Sequence, residues 1–366
     1  MTRPLRITLI GCGLAARQLH GPALRTLPGV HLVGLCDRDP EAMRTVAAGG
    51  TDDPFCSTDP GEVLATTEPD GVLILTPTDS HEALAIQALE SGAHVLVEKP
   101  FAPTAAAAHR MSEVASRHDR LLSVVHNELF TPGLAQLRRR LERGEVGGIS
   151  TVHYATSSRN QRFVPDPWYF EARGGRMGET LPHALCILVE LLGELTVESV
   201  QARHLGGAIL PDWADPDRPL VDDLRVELAT PDGRQLGSLW YSLNSWVPTQ
   251  VLVAGREGHL LAYPFGDVTE HRIEPPPMAE SVRALEKRIQ RGLERRGRRL
   301  LRRRRPRARI EDSSHHAQLA HFLAAMRGEQ PLRPDAASAC RVTALWEAIV
   351  DRLEADPVGS GSSGPA

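Results

Sequence analysis

This sequence is almost without lysine. Of 42 basic residues only Lys99 and Lys287 are lysines; every other one is an arginine. A lysine kept in such a chain is a candidate for work that an arginine, permanently charged, cannot do. Cysteine is scarce as well. The five (Cys12, Cys36, Cys56, Cys186 and Cys340) are odd in number, scattered, and never spaced C-x-x-C. That speaks against a disulfide framework or a structural zinc site, and for a reducing compartment. No apolar run approaches the roughly 20 residues a membrane span needs, and no charged-then-apolar leader precedes the first apolar stretch. A soluble, cytoplasmic protein without a bound metal is expected. There is no internal repeat.

What is present suits two globular domains. The chain has 366 residues, 41% hydrophobic and 24% charged, an ordinary balance for a protein with buried cores. Its net charge of −4 is unevenly spread, because residues 283–309 hold fourteen basic side chains and only two acids, Glu286 and Glu294.

The stretch that organises the rest is Leu5 to Ala16. An apolar run, Leu5–Ile10, leads into Gly11-Cys12-Gly13-Leu14-Ala15-Ala16, a G-x-G-x-x-A turn ahead of an expected helix. Gly11 permits a tight turn, Gly13 lets backbone approach a pyrophosphate, and Ala16 lets the helix pack close to the strand. The helix N-terminus then offers unpaired N–H groups to an anion. A second apolar run, Val30–Leu35, ends at Asp37, about where a ribose-binding acid belongs. Asp37 favours NAD, since its charge repels a 2′-phosphate. Arg38 beside it would pair with that phosphate if Asp37 turned away, which keeps NADP open.

Strand and helix patterns alternate up to residue 125. Helices are expected over 40–48, 60–66, 82–91 and 104–118, and strands over 71–75, 94–98 and 121–125, which predicts an α/β doubly wound parallel sheet. Residues 126–355 change pattern to an α+β domain. Helices are expected at 133–143, 180–192, 314–326 and 336–353, and a mostly antiparallel open sheet is read from runs including 149–155, 224–228, 235–241, 250–254 and 259–263. Residues 356–366, rich in Gly and Ser, read as a flexible tail.

Two stretches could carry chemistry. Glu98-Lys99-Pro100 closes a parallel strand at its carboxyl end, where open α/β sheets place ligands. Lysine there can give or take a proton, whereas the plain alternative is a solvated ion pair. The second stretch is Gly174 to His183, with Thr180 as expected N-cap and Pro182 in the first helical turn. His183 in that turn would be kept neutral by the helix dipole and ready to accept a proton. Glu179 would orient it or bind a substrate hydroxyl. By itself this second stretch reads better as a capping cluster with a packed histidine.

Taken together, G-x-G-x-x-A, Asp37-Arg38, Thr76-Pro77…His81, Glu98-Lys99-Pro100 and the helix with His183 resemble the Gfo/Idh/MocA oxidoreductases. These are relatives of glucose–fructose oxidoreductase and inositol 2-dehydrogenase. The likeness extends through Phe130-Thr-Pro132, the Gly144–Gly147 turn and the late helix from His315 to Gly328. It implies a Rossmann domain, then an α/β domain whose open sheet often forms oligomer contacts, so a homo-oligomer (dimer or tetramer) is expected. It implies Lys99 and His183 as the catalytic pair, with hydride passing between nicotinamide and a sugar, sugar-nucleotide or cyclitol carbon. Thr76, Pro77, His81, Glu98 and Lys99 join the glycine turn as cofactor contacts; His81 reads equally as a helix-start histidine without a role. Where many members carry Asp four residues before the histidine, this chain has Glu179. Two other readings accompany the dehydrogenase: an NAD-retaining hydrolase or eliminase with internal redox, and a non-catalytic cofactor-binding sensor.

Arg159, Arg162, Trp168, Arg173 and Arg176 precede the His183 helix. They read either as the lining of a polar substrate site, with Trp168 stacking on a sugar face, or as a solvated loop. Asn127, Trp168, Arg173 and Arg176 are the substrate-binding candidates. The basic stretch within 280–310 places Val282, Leu285, Ile289, Leu293 and Leu300 at helical spacing. A solvated helical insertion is its plainest reading, an anionic membrane surface comes next, and nucleic acid last, since interleaved aromatics are lacking.

Overall fold

The computed structural model describes residues 3–157, 173–203, 221–245, 247–266, 268–272 and 313–355. The expectations for Trp168, Arg159, Arg162, the basic stretch at 280–310 and the tail at 356–366 lie outside the described residues.

The first sheet is parallel throughout. Its strands are β1 (Leu5–Ile10), β2 (Val30–Cys36), β3 (Phe55–Ser57), β4 (Gly71–Ile74), β5 (His94–Val97) and β6 (Leu122–Val124), in the order β3-β2-β1-β4-β5-β6. The central strands are buried on both faces, which is why they read as continuous apolar runs. The helices between them are α1 (Gly21–Thr26), α2 (Pro40–Ala47), α3 (Pro60–Thr67), α4 (His81–Glu90) and α5 (Ala105–Arg117). Two of them start on the same device, an Asp-Pro pair. Asp39 accepts from the Glu41 N–H and Asp59 from the Gly61 N–H, while each proline occupies the first helical position. The strand order reverses between β1 and β4. The crevice at their carboxyl ends is therefore where a ligand of this fold sits.

The second sheet contains β7 (Ile149–Ser157), β8 (Thr196–Arg203), β9 (Asp223–Ala229), β10 (Leu236–Ser242), β11 (Gln250–Gly255), β12 (Gly258–Ala262) and β13 (Val268–Arg272). Their order is β13-β12-β11-β7-β10-β9-β8, antiparallel except for the β7–β10 pair. Residues alternate in burial along β9, β11 and β12, so one face is covered. The cover is α7 (Gly175–Leu192), whose Leu181, Leu185 and Leu188 share a core with Leu239, Val226 and Val251. Helix α6 (Pro132–Glu142) lies between the two sheets in sequence.

The expected division at residue 125 is crossed by the end of the chain. Helix α8 (Ser314–Met326) sends Leu319, Phe322 and Leu323 into the core built by Ile7, Leu9 and Leu35 of the first sheet. Helix α9 (Ala336–Ala355) places Ala339 and Cys340 against the β5–α5 core, and Trp346, Ile349 and Val350 against α7. One amphipathic helix thus serves both cores, and the two sheets are held as neighbours by it.

Candidate functional site

The glycine turn leaves β1 at the crevice. Gly11 has φ +96°, and a Cβ there would stand 2.7 Å from the Leu75 carbonyl carbon, so only glycine fits. Gly13 differs: a Cβ there would meet nothing within 4 Å. The space over Gly13 is open, and Leu14 beside it is 56% exposed. Cys12 and Ala16 are buried and Ala15 is half-buried, so the turn presents backbone to the crevice. Such a turn fits the pyrophosphate of a dinucleotide. After the turn the helix opens into a π-turn, Ala16–His20, before α1. The extra residue carries His20 inward, where its Nε2 lies 2.9 Å from Glu98 Oε1.

Asp37 is engaged by the turn itself. Its Oδ2 accepts from the Cys12 N–H at 2.6 Å and its Oδ1 from the Asp39 N–H at 2.9 Å. A carboxylate has about four acceptor positions, so a ribose hydroxyl can still be received. Arg38 and Pro77 are exposed at the rim. Thr76 opens the loop after β4 and its hydroxyl accepts from Ser80 Oγ at 2.7 Å.

His81 is fully buried. Its Nδ1 is 2.9 Å from the Pro100 carbonyl and its Nε2 is 2.8 Å from the Thr76 carbonyl. Both ring nitrogens thus face backbone carbonyls, and the single N–H of the neutral ring donates to one of them, so His81 packs between the loop after β4 and the loop after β5. One of those carbonyls, Pro100 O, is on the residue after Lys99. Glu98 bonds Lys99 itself: Oε2 accepts from the Lys99 N–H. Burial pushes the Glu98 carboxyl up, but the His20 hydrogen bond and the nearby Lys99 charge outweigh it and hold it down at about 2.

The Lys99 ammonium reaches across to α7. Nζ donates to Glu179 Oε2 at 3.0 Å and lies 3.3 Å from the Glu179 carbonyl. Glu179 and His183 are one turn apart on one face of the helix, so Lys99, Glu179 and His183 form one cluster. His183 is 3.7 Å, through Nδ1, from Glu128 Oε1. Burial first, and then the Lys99 charge, lowers its pKa to about 3. His126 lies in the same neighbourhood, fully buried and lowered to about 3 by burial.

The local structure around His183 corrects the sequence expectation. Helix α7 begins at Gly175, five residues before Thr180, so Thr180 caps nothing; its hydroxyl instead donates to the Arg176 carbonyl. Pro182 is interior, where it removes the N–H that Gly178 O would have received. Trp346 of α9 supplies the missing donor: its Nε1 bonds Gly178 O at 2.7 Å. The helix runs through its proline because a side chain from 168 positions away satisfies the orphaned carbonyl. His183 therefore sits mid-helix, beyond the first-turn dipole. Its imidazole is neutral through burial and Lys99.

The substrate candidates divide. Arg173 is committed to α9: Nη1 donates to Pro103 O and meets Glu347, Nη2 bonds Asp351, and the guanidinium lies over Trp346. Arg176 lies half-buried in the first turn of α7. Asn127 is buried with Nδ2 donating to Ser314 Oγ at 2.9 Å, which ties the turn after β6 to α8. Glu128 is the residue that sequence reasoning missed. Its signal is faint, an acid one residue past Asn127 in a stretch of otherwise uncharged residues. Among the described residues no group of histidine, cysteine and carboxylate side chains is placed to hold a metal, and no helix is long and apolar enough to cross a membrane.

Comparison with known proteins agrees with the crevice. The chain is 30% identical over 193 residues to inositol 2-dehydrogenase of Burkholderia multivorans, 52% of this chain and 55% of that one. It is 31% identical over 206 residues to D-glucoside 3-dehydrogenase of Escherichia coli, 54% of this chain and 57% of that one. It thus spans little more than half the length of the curated relatives it matches. An oxidoreductase from Agrobacterium radiobacter, solved with NAD+, L-tartaric acid and magnesium, shares the fold with a TM-score of 0.72 at 20% identity, over 96% of each chain. Residues 5–126 match the oxidoreductase family with an NAD-binding Rossmann fold, and those residues hold the glycine turn, Asp37 and Glu98-Lys99-Pro100. Over that third of the chain, the match is to the Rossmann domain of the Gfo/Idh/MocA oxidoreductases.

Proposed function

We propose that this protein is an NAD(P)-dependent oxidoreductase that moves a hydride between nicotinamide and a secondary alcohol or ketone carbon of a sugar, sugar nucleotide or cyclitol. The observation that carries the reading is the Lys99–Glu179–His183 cluster, built where the carboxyl end of a parallel strand meets α7. NAD supplies the hydride acceptor when bound. The glycine turn holds its pyrophosphate, and Asp37 receives a ribose hydroxyl in the spare acceptor positions of its carboxylate. At the reacting end, His183 is a neutral base near pH 7, because its pKa lies at about 3. It takes the proton of the substrate hydroxyl. The Lys99 ammonium, held by Glu179, stabilises the oxygen as negative charge gathers on it. The sugar or polyol class of substrate draws support from the names of the relatives, which are dehydrogenases of an inositol and a glucoside.

The test is reduced-nicotinamide absorbance with NAD or NADP across sugars, cyclitols and sugar nucleotides, with Lys99→Arg beside the wild type. Signal that collapses in the variant is the expected result. Failure to bind any nicotinamide would overturn the reading. Nicotinamide released from denatured protein, with silence across the panel, would replace it by internal redox on a glycoside.

A further inference from the structure

Two carboxylates approach the catalytic cluster, and only one faces the histidine. Glu179 is the acid that spacing along α7 would assign to His183, yet its carboxylate is turned to Lys99 at 3.0 Å. The second acid, Glu128, comes from the single helical turn Asn127–Phe130 that follows β6. Its Oε1 is 3.7 Å from His183 Nδ1, and that nitrogen is buried with no hydrogen-bond partner of its own. The gap exceeds the roughly 2.7–3.2 Å of a formed bond. Catalytic hydrogen bonds are often long before substrate arrives and tighten in the complex. The other oxygen, Oε2, is 3.4 Å from Tyr154 OH on β7.

Building on the dehydrogenase reading, we propose that Glu128 is the positioning residue for His183: it holds a proton on Nδ1 and thereby leaves Nε2 as the base that meets the substrate hydroxyl. The ring is 24% exposed while Nδ1 is buried, so the Nε2 side is the one open to the crevice. A neutral imidazole carries one proton, and the partner of one nitrogen decides the role of the other. A Glu128 carboxylate accepts from Nδ1–H and makes Nε2 the acceptor. A Glu128 carboxylic acid donates to Nδ1 instead, which puts the ring proton on Nε2 and disarms it. When Nε2 takes up the substrate proton, the carboxylate meets the new positive charge.

The surroundings of the pair agree with this arrangement. Tyr154 from β7 and His183 and Cys186 from α7 face Glu128. Arg138 of α6 is turned to Glu190 and to the Leu129 carbonyl, and α8 offers Ser314 to Asn127. His183 in turn feels Lys99, His126, Glu98 and His315. Glu128 has no cationic partner at bonding distance among the described residues, and burial raises its pKa to about 7, with the Tyr154 hydrogen bond pulling the other way. The sign follows. Above about 7 Glu128 is ionised and His183 is armed at Nε2; below it the tautomer reverses and alcohol oxidation declines.

The experiment is nitrogen-15 NMR of the full chain labelled at histidine, without cofactor, titrated across pH 7, with His183 assigned by subtraction in His183→Asn. The expected result is a tautomer exchange of His183 with a midpoint near 7, absent in Glu128→Gln and restored at a shifted midpoint in Glu128→Asp. A flat His183 signal in the wild type, or the same exchange in Glu128→Gln, would overturn the proposal. Should Glu128→Gln fail to fold, Tyr154→Phe decides. Loss of that hydroxyl moves the midpoint upward, and an unmoved midpoint overturns the assignment. The titration needs no turnover, so silence in the nicotinamide panel with the exchange intact would sink only the dehydrogenase reading.

Discussion

The crevice has two ends, and they are made differently. At the nucleotide end each feature is local: a strand, a turn and a helix start supply Gly11, Gly13 and Ala16 from six consecutive positions. At the proton end nothing is local. Lys99 finds its partner 80 residues away, and His183 faces an acid 55 positions earlier, while the helix that carries both α7 residues depends on Trp346. On the proposed reading, the site pairs a cofactor half written in one short motif with a chemical half that exists only after folding.

The sharpest break of this comparison is Lys99→Arg. Arginine keeps the charge and can still pair with Glu179, but its planar guanidinium does not put a donor at the same point as the compact ammonium. Losing one positioned donor to a developing oxyanion costs about 10²–10³-fold in rate. We expect kcat on any substrate the wild type turns over to fall in that range, with NADH fluorescence still reporting a bound cofactor. A loss confined to cofactor affinity would move Lys99 to the nucleotide end.

The next test separates two glycines only two positions apart. Gly11→Ala forces an L-residue to φ +96° and drives a Cβ to 2.7 Å from backbone. A cost of roughly 1–3 kcal/mol is expected, visible as a lower melting temperature. Gly13→Ala meets nothing in the protein, so its melting temperature stays near the wild type while NADH binding weakens about tenfold or more. Equal melting losses in the two variants would mean that the turn is merely structural.

How far the sequence could be read follows the same divide. The bounds of β1 and of α8 were legible in the apolar periodicity, which is a local signal. Lys99 stood out through the arginine bias of the whole chain. Helix α7 was misplaced because a proline normally ends a helix when nobody serves the carbonyl it orphans, and Trp346 could not be foreseen in that part. His81 reads from sequence as a nicotinamide neighbour or an idle histidine; in the fold its ring lies between carbonyls of two loops that sequence spacing does not bring together. Glu128 was invisible for that reason too: its meaning lies in Tyr154 and His183, on two other elements.

Trp346→Phe tests the long-range half directly. It leaves the Gly178 carbonyl buried without the indole donor, at about 1–3 kcal/mol. Pro182→Ala restores a backbone N–H at the position facing that carbonyl. In the Trp346→Phe background it should therefore recover part of the loss, whereas in the wild type it should gain little. Urea unfolding of the four proteins measures the coupling. Strict additivity would show that Trp346 merely packs.

The smallest effect sits at the nucleotide end, on Asp37. Its carboxylate already binds two backbone N–H groups of the turn and the following loop, so it shapes the nucleotide site besides charging it. Asp37→Asn removes the charge and keeps one acceptor oxygen, which leaves the Cys12 or Asp39 N–H less well served. Without the negative charge a 2′-phosphate is no longer repelled, and the exposed Arg38 next to it is a ready partner. The ratio of NADP to NAD affinity should rise by about tenfold, roughly 1.4 kcal/mol, with a stability loss near 1 kcal/mol. Binding of the two reduced cofactors, compared by fluorescence, measures it. An unchanged ratio with the same stability loss would make Asp37 a turn-forming residue alone, and the nucleotide end would then owe its selectivity to residues outside the turn.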